Sequence, residues 1–249
     1  MILSERFQQV LVEAKSVCVL TGAGVSAESG VPTFRGNEGL WSKFKPEELA
    51  NFDAFIKNPK LVWEWYAYRR RVIGEVQPNP AHAALVDMES LFQDFTLVTQ
   101  NVDNLHTRAG SKHVIELHGN IERSYCINCR RPSNEQITEE NIPPRCSQCG
   151  GLIRPDVVWF GELLPQDQFM RAEAAAERCD LFLCVGTSAV VYPAASLPLT
   201  ALEHGAYVVE INAEYTDLSS RVQETLLGKA GIILPQLVHH LKMAHTGGL

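Results

Sequence analysis

Ser16-Val-Cys-Val-Leu-Thr-Gly22-Ala-Gly24-Val-Ser-Ala27 reads as an apolar, β-branched strand running straight into a glycine-rich turn. The turn matches the pattern G-x-G-x-x-G/A. Its first glycine permits the tight bend, its second lets a pyrophosphate approach the backbone, and its small third position lets the next helix pack close. A tight strand–helix turn without a ligand has the same look, but the position after a strand favours dinucleotide binding. One element of the dehydrogenase version is absent. About 20 residues further on, an acid at the end of a second strand normally grips the adenosine ribose. Here the chain continues as Ser29-Gly-Val-Pro-Thr-Phe34-Arg35-Gly36, a loop.

Outward from this turn, short apolar runs alternate with longer helical patterns. Strands are expected near 16–20, 95–99, 114–117, 181–185 and 207–211, with helices near 5–15, 59–76, 81–91, 166–177 and 193–204. Apolar strands separated by helices suit a parallel sheet covered on both faces. The expected class is therefore α/β, a Rossmann-like doubly wound sheet, with polar strand tips gathered at its carboxyl edge. Residues 36–78 and 120–156 break the alternation. Both read as insertions forming a smaller lobe, one helical and one metal-binding. The larger lobe then comprises about 1–35, 79–119 and 157–249.

The chain has 249 residues, 45% of them hydrophobic, and 22 basic against 29 acidic side chains give a net charge of −7. Such an acidic balance argues against direct nucleic-acid binding or an anionic membrane as partner. No apolar run reaches the roughly 18 residues of a membrane span. The start lacks a basic segment before an apolar core, so a cytoplasmic location is expected. Oligomeric state is not legible.

Of seven cysteines, Cys18, Cys179 and Cys184 sit in or beside apolar runs and read as buried hydrophobes. The others form Cys126-x2-Cys129-x16-Cys146-x2-Cys149, the spacing of a four-thiolate zinc ribbon. Four protein ligands leave no open coordination position, so the zinc is expected to be structural. Residues 121–154 carry five arginines and four glutamates, which is no basic patch. The expected role of the metal is to hold a lobe too small for its own core. His118 ends a strand, where it could be either a general base or a hydrogen-bonded structural residue.

Taken together, Gly22 to Gly36, Thr99-Gln-Asn-Val-Asp-Asn-Leu-His106, Glu116-Leu-His-Gly-Asn120 and the cysteine quartet resemble the sirtuins. So do Val158-Trp-Phe-Gly-Glu162, Gly186-Thr-Ser188 and Gly228-Lys-Ala-Gly231, and the motifs cover essentially the whole chain. The resemblance implies an NAD-consuming protein-lysine deacylase with NAD between the two lobes and acyl-lysine entering opposite. The acyl oxygen would displace nicotinamide to give an alkylimidate. His118 would then take the proton of a ribose hydroxyl, and 2′-O-acyl-ADP-ribose, nicotinamide and free lysine would leave. NAD is thus a cosubstrate, and acyl-lysine proteins or peptides are the partners.

By the same resemblance, Gly22, Ala23 and Gly24 would cradle phosphates, and Phe34 and Arg35 would lie on a loop over the cofactor. Gln100, Asn101 and Asp103 would hold the nicotinamide ribose and carboxamide, Asn101 sharing the catalytic role with His118. Gly186, Thr187, Ser188, Asn212 and Ala230 would line the adenosine side. Val158, Phe160, Gly161 and Glu162 would offer an extended edge to the substrate peptide. Asp156 stands where the family often has histidine. Tyr66 and Arg69, spaced i, i+3 on one helix face, could be a packing stripe followed by a solvated Arg69-Arg70-Arg71 run. In the sirtuin branch acting on acidic acyl groups, however, a Tyr and an Arg stand at this spacing after a Trp-Glu-aromatic stretch, here Trp63-Glu64-Trp65, and Ala50 matches the small residue that widens that pocket. Succinyl and malonyl groups are therefore expected substrates beside acetyl. A zinc-containing dehydrogenase, a non-catalytic NAD-binding module and mono-ADP-ribosyl transfer are the competing readings.

Overall fold

The computed structural model describes residues 3–33, 45–135, 137–245 and 247. Eight strands occur among them: β1 (Ser16–Thr21), β2 (Asp94–Thr99), β3 (Val114–Glu116), β4 (Gly119–Cys126), β5 (Ile153–Val157), β6 (Leu181–Val185), β7 (Tyr207–Asn212) and β8 (Glu224–Leu227). Six of them form one sheet in the order β3-β2-β1-β6-β7-β8, every pair parallel. This is the doubly wound order, with its switch point between β1 and β6.

The uniformly apolar strands are explained by two cores, one on each face of the sheet. Val17 and Val19 point into one, Cys18 and Leu20 into the other. On β6, Leu181, Leu183 and Val185 join the first core, while Phe182 and Cys184 join the second. Successive strand residues face opposite sides, so a strand covered on both sides must be apolar at every position. The three unpaired cysteines are accordingly buried.

The helices match the expected ones to within a few residues at Glu5–Glu13, Pro59–Glu75, Pro80–Leu91 and Gln166–Arg178. The expected 193–204 helix divides into a 3-10 turn, Ala194–Ser196, and the helix Leu197–Glu203. The elements not anticipated include β4, β5, β8 and the helix Ala230–His245. That helix buries Ala230, Ile233, Leu234, Leu237, Val238 and Leu241, a regular helical stripe that Pro235 interrupts in the sequence.

The two segments expected to form a smaller, coreless lobe share a third core. Trp63, Phe55 and Tyr66 from the helical insertion pack with Ile121 and Ile153 from the metal-binding one, and with Val157 and Trp159. Neither insertion could bury such a cluster alone, which is why each looked coreless in the sequence. Val157 and Trp159, grouped with the larger lobe on sequence, pack into this third core. β4 and β5 form an antiparallel pair with an irregularity between Asn120 and Ser124. Arg70 holds that irregularity, donating to the carbonyls of Ile121 at 2.5 Å and Arg123 at 2.9 Å and to the Ser124 hydroxyl at 2.9 Å. Among the described residues, no helix is long and apolar enough to cross a membrane.

Candidate active site

A cleft of about 890 Å³ opens at the carboxyl edge of the sheet, bounded by the glycine-rich turn, His118, the Tyr66 helix and the 186–193 loop. At the switch point the turn after β1 and the turn after β6 interlock. Gly22 N–H donates to Val185 O at 3.0 Å and Gly24 N–H to Gly186 O at 2.8 Å. A Cβ on Gly24 would lie 2.8 Å from Gly186 Cα, and one on Gly186 would lie 2.6 Å from Val25 N. Gly186 also has φ +59, in the left-handed region. These glycines are therefore demanded by the close approach of two protein loops, before any phosphate is considered. The helix that follows, Gly24–Ala27, is a single turn and carries little of the macrodipole expected for it. With the Gly22 and Gly24 N–H groups engaged, the Ala23 N–H is the one in Gly22–Gly24 without a partner among the described residues.

Beneath the turn lies a buried polar network. The Asn101 amide donates to Gly22 O at 3.0 Å and to Ser26 Oγ at 3.3 Å, and its backbone N–H donates to Thr99 Oγ1 at 3.0 Å. Thr21 Oγ1 meets Thr99 Oγ1 at 2.8 Å and His106 Nε2 at 2.9 Å, while His82 Nε2 lies 3.4 Å from Ser26 Oγ. The two imidazole rings are 4.9 Å apart. Burial pushes His82 down to about 4 and His106 down to about 3, so both are neutral in the folded protein. Sequence reasoning missed this pair. The available signal was their place in the motif-bearing segments, His82 three residues after the helix cap Asn79 and His106 closing Asn104-Leu-His.

His118 stands two residues beyond β3 and lines the cleft. Its Nδ1 lies 2.8 Å from Gln100 O. A carbonyl only accepts, so Nδ1 carries the proton and Nε2 keeps its lone pair. Burial lowers the imidazole below its ordinary 6.5, against a smaller upward effect of the Gln100 hydrogen bond. The residue after it must be glycine: Gly119 has φ +79, and a Cβ there would stand 2.2 Å from Asp156 O. The Asp156 carboxylate itself pairs with Arg123 at 2.8 Å, and Arg123 reaches Glu116 at 2.7 Å, tying β5 to β3 beside the histidine.

Around the turn after β6, Gln100 Nε2 donates to Thr187 Oγ1 at 2.9 Å, and Asn212 Nδ2 donates to Thr187 O at 2.9 Å. Gly186, Thr187, Ser188, Asn212 and Ala230 all line the cleft. Glu210, fully buried on β7, accepts from the hydroxyls of Thr216 and Ser219 and so fixes the loop that carries Tyr215. It too was missed, because an acid inside an apolar strand gives no motif. Asp103 is the expected site residue that does not line the cleft. It is 4% exposed, and its carboxylate accepts the Leu105 N–H at 3.0 Å. Phe34 and Arg35 lie outside the described residues.

The opposite end of the cleft holds Ala50, Tyr66 and Arg69. The basic run after Tyr68 divides three ways. Arg69 is 7% exposed and lies 4.9 Å above the Trp65 ring, Arg70 binds the β4 irregularity, and Arg71 stays at the surface over Tyr68. Burial lowers the Arg69 pKa. Segment 158–162 lines the cleft but is not a free edge. Val158 N–H donates to His118 O and Phe160 N–H to Ala50 O, both at 2.9 Å. The Trp159 N–H donates to Glu162 at 2.8 Å, leaving Gly161 as the N–H of this segment without a partner among the described residues. The Glu162 carboxylate is also committed to Arg154, at 2.5 and 2.8 Å.

None of the four paired cysteines lines the cleft. Their sulfurs lie within 4.8 Å of one another, with Cys126–Cys149 at 3.5 Å and Cys129–Cys146 at 3.8 Å. Sulfurs about 2.3 Å from one tetrahedral centre stand about 3.8 Å apart, so the quartet fits a zinc ion.

With both switch-point loops facing one cleft, the fold is that of a dinucleotide-binding protein, and the closed cysteine cluster gives it a structural metal site. A model of the Sir2 family matches residues 22–193. An NAD-dependent protein deacylase of Aquifex aeolicus is 52% identical over 93% of this chain and 97% of its own length. Among solved structures, a Sir2 homologue variant in complex with 2′-O-acetyl-ADP-ribose superposes with TM-score 0.90 and 47% identity, over 97% of this chain and 98% of that one. A Sir2–p53 peptide–NAD+ complex gives TM-score 0.84 and 33% identity, over 99% of both. The chain belongs to the Sir2 family.

Proposed function

We propose that this chain removes acyl groups from protein lysines with consumption of NAD, and that it accepts succinyl and malonyl groups as well as acetyl. His118 supplies the base. The residue lines the cleft, and its Nδ1–H donates to Gln100 O, which keeps the tautomer fixed with the lone pair on Nε2. The Ala23 N–H and Ser188 would meet the phosphates and adenosine side, and Asn101 would hold the glycine turn against the nicotinamide ribose. Asp103, behind the cleft wall, would act on the carboxamide side through the 101–105 segment. The Gly161 N–H and the carbonyls beside it would take the peptide backbone. Four thiolate ligands suit a reducing compartment such as the cytoplasm.

The observation that carries the acyl choice is Arg69, a buried guanidinium on the cleft wall next to Tyr66. A distal carboxylate on the acyl chain would meet it bidentately, worth roughly 2–5 kcal/mol for a buried pair. The test compares kcat/KM for acetyl- and succinyl-lysine peptides in wild type and Arg69→Met. The succinyl rate should fall by at least a hundredfold relative to acetyl, about 2.7 kcal/mol. An unchanged ratio of the two activities would remove the acidic-acyl assignment. Mass spectrometry of the same incubations should show nicotinamide and 2′-O-acyl-ADP-ribose; reduced nicotinamide or ADP-ribosylated peptide would replace deacylation with another reaction.

A further inference from the structure

We infer that Trp159 is a positioning residue for acyl-group choice, its indole N–H fixing the Tyr66 hydroxyl as a donor toward the acyl end of the cleft. The inference rests on the acidic-acyl reading above. Trp159 Nε1 lies 2.8 Å from Tyr66 Oη. An indole nitrogen only donates, so the phenol oxygen accepts and its own proton must point away from the ring. No described residue takes that proton, although Tyr66 is 1% exposed. Burial raises the phenol pKa, so the proton stays on the oxygen across the working range.

The indole is itself held. Arg154, 2% exposed, places its guanidinium 3.5 Å from the Trp159 ring centroid. Glu162 grips that guanidinium at 2.5 and 2.8 Å, and Val157 O accepts from it at 2.8 Å. Phe55 packs against the indole at 5.2 Å. A chain of fixed contacts thus runs from the 158–162 segment to the wall of the acyl pocket. Arg69 follows Tyr66 by one helical turn, its guanidinium 5.9 Å from the phenol ring. An acetyl methyl offers this pair no acceptor, whereas a carboxylate accepts from both. The orientation imposed by Trp159 therefore matters for acidic acyl groups and not for acetyl.

Trp159→Phe keeps an aromatic ring against Arg154 and removes the N–H donor together with part of the indole's volume. The succinyl-to-acetyl ratio of kcat/KM should fall about tenfold, carried by KM for the succinyl peptide, the loss expected for one oriented hydrogen bond to a charged group. Tyr66→Phe should lower the ratio at least as far, and the double variant should fall no lower than Tyr66→Phe alone. A ratio within twofold of wild type in Trp159→Phe, or independent multiplication of the two losses, would overturn the inference. So would an unchanged ratio in Tyr66→Phe, whether or not Trp159→Phe can be purified. Arg69→Met separates the two levels. If Arg69→Met lowers the ratio but Trp159→Phe does not, the pocket stands and the positioning role falls. If Arg69→Met also leaves it unchanged, the pocket itself is misassigned.

Discussion

At the scale of the residue, His118 is set up by one hydrogen bond and by burial. The Gln100 carbonyl selects the tautomer with Nε2 unprotonated, and desolvation disfavours the imidazolium. Its folded pKa therefore lies below 6.5, and the imidazole proposed as the base is unprotonated at Nε2 throughout the neutral range. The acid limb of kcat/KM against pH should accordingly have its midpoint under about 6.5 and be flat above pH 7. His118→Tyr should lose the limb together with turnover while circular dichroism stays native. A limb centred above pH 7, or residual turnover near wild type, would assign the base to another group. The residue type and its strand-end position were legible in the sequence; the tautomer was not, because Gln100 lies 18 residues away and meets it only across the β2–β3 pair.

Individual elements carry function through their ends rather than their middles. β1 and β6 are interchangeable apolar strands, yet their following turns interlock so tightly that three glycines are required. β7 differs, since one of its inward positions is Glu210, which anchors the 213–219 loop, whose residues 213–217 line the cleft. Glu210→Ala would leave two hydroxyls without their acceptor at a cost of ~1–3 kcal/mol and free that loop. KM for NAD should rise about tenfold, with kcat changed much less, because residues 213–217 line the cleft next in sequence to Asn212, proposed for the adenosine side. A fall in kcat at unchanged KM would place Glu210 nearer the chemistry. The Ala230–His245 helix was hidden in the sequence by Pro235, and β4 and β5 by the metal ligands and bulge that replace hydrophobic alternation.

Across the whole molecule, the cleft exists because two insertions, separated in sequence by β2 and β3, close over each other to make the third core. Beneath the glycine-rich turn, His82 and His106 are buried without charge. Their folded pKa values, about 4 and about 3, lie below the unfolded 6.5. The unfolded chain therefore binds protons first as pH falls. Stability from this pair is complete above about pH 6.5 and is lost on acidification, at ~1.4 kcal/mol per pH unit for each histidine down to its folded pKa. Urea unfolding followed from pH 7.5 to 4.5 should show this slope, and His106→Gln should reduce it by one histidine's share. An identical slope in the variant would mean that His106 is charged or accessible in the folded state.

By itself the sequence determined the doubly wound class, the cysteine quartet and the identity of the strand-end residues. Strand parity, ligand spacing and turn chemistry are local properties written within a few residues of each other. Tertiary structure alone decided which polar groups face the cleft and which are committed elsewhere. Asp103 and the Glu162 carboxylate turned to internal partners, Arg69 turned inward while Arg71 stayed out, and Trp159 met Tyr66 across 93 residues of chain. Each of those outcomes depends on what lies opposite in space, and a buried donor or acceptor takes whichever partner the packing brings within about 3 Å.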